Sequence, residues 1–289
     1  MALVVTTVFW ASAFAGIRAG LEAYGPGQVA LFRFLVASAA LAGYATLTRM
    51  RLPERRDLPA VFLGGLLAFA VYHVALNYGE VTVSAGSASI LIATAPVFTA
   101  LLAVAFLGER LRVVGWVGMG VSFLGSAMIS LGEGEGLSLN ARAAPILLAA
   151  LSTSLYFILQ KPYLEKYGAL AFTTYAIWAG TLLTLIYLPS LVSQVRTAPT
   201  GTTLAIVYLG VFPTAIAFTT YAYALRHMSA SNLGITTYLV PPITIVMGLV
   251  FLDEAPPAMA YVGGALALVG VAVARRKPRT IAEEAGPPA

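Results

Sequence analysis

The sequence predicts an all-α, polytopic membrane protein: ten transmembrane helices in two five-helix inverted-topology repeats, with both termini cytoplasmic. Three observations predict it. The 289 residues are 59% hydrophobic and only 10% charged, where a soluble domain carries about 25% charged residues. The apolar residues come in continuous blocks, near the ~20 residues that a bilayer-spanning helix needs, without the strict alternation of barrel strands. Finally, one half of the chain echoes the other at a nearly constant offset.

The first span is read at 2–20. The triplet Ala11-Ser12-Ala13 inside it is compatible with leader cleavage. No basic stretch precedes it and apolar sequence continues beyond it, so the segment reads as a span. The next spans are 27–48, 57–78, 84–107 and 112–131, each bounded by Gly, Pro or charge. The second set is 141–160, 168–188, 202–225, 230–252 and 256–275. The longest connections, 132–140 and 189–201, are too short for a soluble domain. The tail 276–289 is polar and proline-rich and is expected to be disordered.

Basic residues orient the spans. One set of connections holds Arg49, Arg51, Arg55, Arg56, Arg110, Arg112, Lys161, Lys166, Arg226, Arg275, Arg276, Lys277 and Arg279, thirteen in all. The alternate set holds only Arg18, Arg142 and Arg196, and Arg33 lies within a span. This bias places both termini in the cytoplasm and requires an even number of spans.

The repeat is clearest in "APVFTALLAVAFLGERL" (95–111) and "VPPITIVMGLVFLDEAP" (240–256), where Pro96 falls on Pro241, Thr99 on Thr244 and Glu109 on Glu254. At the same offset of 145, Gly65 meets Gly210, Tyr78 meets Tyr223, Ser84-Ala85 meets Ser229-Ala230, Gly118 meets Gly263 and Gly125 meets Gly270. Near the start the offset is 143, pairing Phe14 with Phe157 and Glu22 with Glu165. Five spans per repeat is an odd number, so the second repeat (141–275) enters the membrane from the side opposite to the first (1–131). Inverted repeats are a common plan of secondary transporters.

"FWASAFAGIR" (9–18), "LFRFLVASAAL" (31–41) and the 95–111 stretch resemble the first, second and fourth helices of the EamA branch of the drug/metabolite transporter superfamily. Within it the chain is most similar to the YddG-type aromatic amino-acid exporters. The resemblance implies a central cavity between the halves, export of amino acids or related metabolites, a lipid bilayer and a small-molecule substrate as partners, and an inner-membrane location.

The residues themselves supply candidates. Pro96 and Pro241 lack an N–H and clash with a carbonyl one turn back, so they read as hinges or as packing kinks. Arg33 is costly inside a membrane. It reads as a carboxylate partner, as a structural donor to helix-end carbonyls, or as snorkelling to the surface. His73 shares a helix face with Asn77, near Tyr78, and reads as a ligand contact or a structural residue. Trp10 with Phe14, Tyr156 with Gln160, and Tyr175 with Trp178 pair on faces of the first, sixth and seventh spans, where they would line an aromatic cavity or pack against lipid. Glu109 and Glu254 read as corner residues, each suited to the N-terminus of the helix that follows.

Several classes are excluded. Without cysteine there is no disulfide, thiolate catalysis or Cys-ligated metal site. There is no phosphate-binding G-x-x-x-x-G-K-[ST] and no H-E-x-x-H. No enzyme activity, metal, cofactor or nucleic-acid partner is expected, and His227 is placed at a helix end, away from His73. All twelve Asp and Glu fall at span ends, in connections or in the tail. With no buried carboxylate in view, transport is expected to be downhill or weakly coupled, with any proton link through His73. Other cargoes stay open: a nucleotide sugar, a lipid-linked sugar or a lipophilic cation. "GMGVSFLG" (118–125) and "GGALALVG" (263–270) permit close helix approach, within the chain or in a homodimer.

Overall fold

The computed structural model describes residues 1–81, 88, 91–132, 144–244 and 258–274. Glu254, Ser84-Ala85 and the tail 276–289 lie outside these residues. Among those described, every regular element is helical: α1 (Ala2–Leu21), α2 (Pro26–Leu47), α3 (Arg55–Glu80), α4 (Ala95–Leu107), α5 (Val113–Gly132), α6 (Ala144–Tyr167), α7 (Ala169–Thr197), α8 (Thr200–His227), α9 (Ala230–Thr236) and α10 (Ala258–Ala274). Six of them, α1, α2, α3, α6, α7 and α8, are long and apolar enough to cross a membrane. The outer surface is apolar, with Leu47, Phe106, Val113 and Ile186 each more than 70% exposed. Faces of this kind belong against lipid, and the chain is a polytopic membrane protein.

Local chemistry explains most boundaries. Pro26 sits in the first turn of α2, where its missing N–H has no intrahelical partner to lose. Gly108 closes α4 at φ 63°, with its N–H bonded to the Ala103 carbonyl, the left-handed cap that glycine adopts without strain. Two expected boundaries move. The sixth span runs on through Pro162 to Tyr167, and the seventh runs beyond 188 to Thr197. In the latter, Pro189 occupies the first turn of a segment, Leu188–Thr197, that buries Leu191, so the proline restarts the helix.

The two halves of the sequence share backbone irregularities. α3 widens into a π-helical turn at Leu66–Val71, and α8 does so at Gly210–Ile216, which is the same place in the repeat. In each, a side chain bonds a carbonyl five residues back: His73 Nδ1 to Ala68 at 2.9 Å and the Thr214 hydroxyl to Leu209 at 2.8 Å. A wider turn disturbs the carbonyl ladder, and π turns concentrate at functional sites. The prolines correspond as well. A turn at 93–94 precedes α4, with Pro96 in its first turn. A 3₁₀ turn at Thr237–Leu239 precedes the helical residues 240–244, which include Pro241. Neither proline kinks a continuous helix: the chain breaks just ahead of each and the helix restarts on it.

The small-residue stretches pack on one another within the chain. α5 and α10 form the most extensive helix pair, and a Cβ on Gly125 would lie 2.4 Å from the Ala267 nitrogen. Only glycine permits that backbone approach. Gly125→Ala is expected to destabilise the fold by about 1–3 kcal/mol through overpacking, read as a lower melting midpoint of the detergent-solubilised protein. An unchanged midpoint would show that α5 and α10 can separate without cost.

Candidate functional site

A cavity of about 90 Å³, counted as the space open to the centre of a water-sized sphere, lies among α1, α2, α3, α4, α6, α8 and α9. One water needs about 10–15 Å³ on this measure, so the space suits several waters or one small organic molecule. Its wall is aromatic: Trp10, Phe14, Tyr72, Phe157, Phe218, Tyr221 and Tyr238. Trp10 centres a cage, with ring centroids 5.0 Å from Tyr221, 5.4 Å from Phe218 and 6.2 Å from Phe157. The hydroxyls of Tyr221 and Tyr238 are buried and have no hydrogen-bond partner among the described residues. Thr99, Thr153 and Thr237 add hydroxyls, and among the described residues no carboxylate lines the space.

Arg33 is the cation of this wall. It is 2% exposed, so it does not reach water by snorkelling, and its Nε donates to the Thr214 hydroxyl at 2.9 Å. That hydroxyl donates in turn to the Leu209 carbonyl, so the α8 π turn orients the guanidinium. Gly210 allows the approach, since a Cβ there would meet the Arg33 carbonyl at 2.7 Å. The remaining guanidinium donors form no ion pair among the described residues. His73 is enclosed by Phe34, Phe69, Tyr72 and Phe218. Because the Ala68 carbonyl can only accept, Nδ1 carries a proton.

Of the residues singled out from the sequence, Trp10, Phe14, Arg33, His73, Pro96 and Pro241 line the cavity. The other six do not. Asn77 donates Nδ2 to the Pro26 carbonyl at 2.9 Å. Tyr78 is half exposed. Tyr156 is buried beside Phe69, and Gln160 is buried with both amide atoms unpartnered among the described residues. The Tyr175 hydroxyl donates to the Arg51 carbonyl, and Trp178 Nε1 to that of Ser38.

Sequence reasoning missed Phe157, Phe218, Tyr221 and Tyr238, although the repeat carried a signal. Phe157 is the partner of Phe14 at offset 143, and Phe218, Tyr221 and Tyr238 are the partners of His73, Leu76 and Ala93 at offset 145. Both members of each pair line the cavity.

Two carboxylates also fall differently from expectation. Glu109 does not serve the helix that follows it. It accepts from the Ala230 N–H at 2.7 Å, the Ser231 N–H at 3.0 Å and the Ser231 hydroxyl at 2.8 Å at the start of α9, and it pairs with Lys161 of α6 at 2.5 Å. Glu80 ends α3, as the sequence indicates. However, both its carboxyl oxygens are buried without a partner among the described residues. The premise of no buried carboxylate is therefore corrected.

A profile of the EamA-like transporter family matches residues 1–131 and 143–276. The chain is 44% identical over 262 residues to "Uncharacterized transporter YdfC" of Bacillus subtilis, covering 91% of this chain and 86% of that one. It is 43% identical over 287 residues to the "Probable terminal-alkyne amino-acid exporter" of Streptantibioticus cattleyicolor, covering 99% and 96%. A crystal structure 19% identical in sequence matches with a TM-score of 0.77 over 95% of each chain, which is a likeness of fold.

Proposed function

Because the chain belongs to the EamA-like transporter family, we propose that it is a secondary carrier exporting amino acids and related small metabolites across the inner membrane, with aromatic amino acids favoured. In this reading ten helices form two inverted repeats, 1–131 and 141–275, with both termini and the tail 276–289 in the cytoplasm. The cavity between the repeats faces either side in turn, and the helix restarts at Pro96 and Pro241 act as hinges. The paired irregularities of α3 and α8, and the paired lining residues, support this reading.

The observation that carries the substrate class is the buried guanidinium of Arg33 on a wall rich in aromatic side chains. A carboxylate matches its free donors, and the Trp10 cage suits a flat apolar side chain. The relative named as an amino-acid exporter supports the same class. A nucleotide sugar would call for more cationic groups than Arg33.

The test is flux through purified protein in liposomes, with labelled Phe, Trp and Tyr offered beside Thr, methyl viologen and a nucleotide sugar. Saturable flux of the aromatic amino acids is expected to exceed that of Thr. Flux confined to the dication or the nucleotide sugar would overturn the substrate class. The downhill or weakly coupled mode rested on the lack of a buried carboxylate, and Glu80 reopens it.

A further inference from the structure

We propose that Glu80 is the coupling carboxylate of the carrier: ionised, it receives the α-ammonium of the substrate whose carboxylate Arg33 holds, and a proton taken up from the outer side displaces that substrate. The inference rests on the amino-acid reading above and adds to it a second binding group and proton-for-substrate exchange.

Four observations lead to it. First, both Glu80 oxygens are enclosed without a hydrogen bond or ion pair among the described residues. An ionised carboxylate left this way is costly unless a cation or a proton joins it. Second, Glu80 is the last residue of α3, the end whose carbonyls repel negative charge. An acid there runs against helix stability and calls for another reason.

Third, it continues the cavity face of α3. His73 and Leu76 line the cavity, and Glu80 follows Leu76 by four residues, one turn further along the same face. Asn77 beside it has a buried Oδ1 without a partner among the described residues. Fourth, Glu80 lies within electrostatic reach of Arg18 and, more weakly, of Arg33, yet it forms no ion pair with either. A guanidinium and a carboxyl group, held apart and each with hydrogen-bonding capacity unused among the described residues, suit the two ends of a zwitterion. Among the described residues, no carboxylate lines the cavity itself to take the ammonium instead.

Among the described residues, few charged groups act on Glu80. α1 contributes Arg18, and α2 contributes Arg33. α3 itself carries Tyr72 and His73, while Tyr78 is turned to the outer surface. The first half of α6, packed on this end of α3 through Ile146 against Gly79, has no titratable residue from 144 to 155. In the proposed orientation this end of α3 faces the periplasm. The proton therefore passes from outside water to a Glu80 oxygen, the substrate leaves outward, and the proton is released inward after the carrier turns over. One proton and one substrate compete for one carboxylate.

The experiment combines two readouts on wild type. Exchange of labelled Phe across liposomes at equal pH tests the amino-acid reading. Accumulation of Phe on the acidic side under an imposed pH gradient tests the coupling. Both are expected. Exchange without any response to the gradient would overturn the inference and leave the reading standing. Absence of exchange for every amino acid would remove both.

Glu80→Gln is expected to exchange Phe with a KM at least tenfold higher and no response to the gradient, while Glu80→Asp keeps the response. Glu80→Gln still driven by the gradient would refute the assignment. A further measurement needs no variant. Phe binding to the purified wild-type protein in weak buffer at mildly acidic pH should release protons. Phenylpropionate, which lacks the ammonium, should release none. Equal release by both, or none by Phe, would also refute it.

Discussion

Arg33→Ala is expected to weaken binding of an amino acid by about 30-fold or more. Truncating one member of a buried, hydrogen-bonded charge pair costs about 2–5 kcal/mol, and each 1.4 kcal/mol is about tenfold in affinity. The loss should be specific to the substrate carboxylate. Phenethylamine, the same ring without that group, should bind wild type and Arg33→Ala alike. Arg33→Lys should recover only part of the loss, because an ammonium is a point charge and cannot reproduce the planar fork. Equilibrium binding of Phe and phenethylamine to the three purified proteins reads this directly. An Arg33→Ala protein that binds both as wild type does would make Arg33 a structural donor to Thr214 and remove the observation on which the substrate class stands.

The second large effect is expected at Glu109. Hydrogen bonds to a charged group contribute about 1.5–3 kcal/mol each, and Glu109 accepts three from α9 besides pairing with Lys161. Glu109→Ala is expected to cost about 3 kcal/mol or more, with water replacing part of the loss. It should also loosen the end of α4 from the start of α9.

The pH dependence has a definite sign. Burial pushes the Glu109 carboxyl up, but the Lys161 ammonium and the Ser231 and Ala230 N–H groups outweigh it and hold the group below its ordinary value of 4.5. A carboxyl lowered in the folded state stabilises fully above its unfolded value and loses that contribution as pH falls through its folded value. The gap in melting midpoint between wild type and Glu109→Ala should therefore be constant through neutral pH and close below the ordinary carboxylate range. A gap that persists unchanged at strongly acidic pH would show that the charge of Glu109 contributes nothing.

Much of the fold was legible before any coordinates. The long apolar blocks announced α1, α2, α3, α6, α7 and α8, because a membrane-crossing segment must satisfy its own backbone and so must be a helix. Pro96 and Pro241 marked where the backbone departs from a regular helix, because a ring without an N–H acts on its own turn. The sequence suggested kinks within spans, and the structure shows helix restarts. Arg33 announced a site that needs explaining, because a charge in an apolar block is costly. These are local requirements, written in consecutive residues.

What the chain alone did not determine is how each helix is rotated about its axis. In a soluble helix the polar face marks the outside. Here lipid, neighbouring helices and an aromatic cavity all accept apolar side chains, so the pattern around each helix has little contrast. That is why Tyr156 and Gln160 looked as plausible as Phe157, and why packing alone decided that Phe157 faces the cavity. The same holds for the charges. Sequence placed Glu109 at a corner and Glu80 at a helix end. Only the meeting of segments distant in the chain decided that Glu109 caps α9, 121 residues away, and that Glu80 is enclosed. Partners of that kind are set by which helices touch, a property of the assembled bundle that no single segment contains.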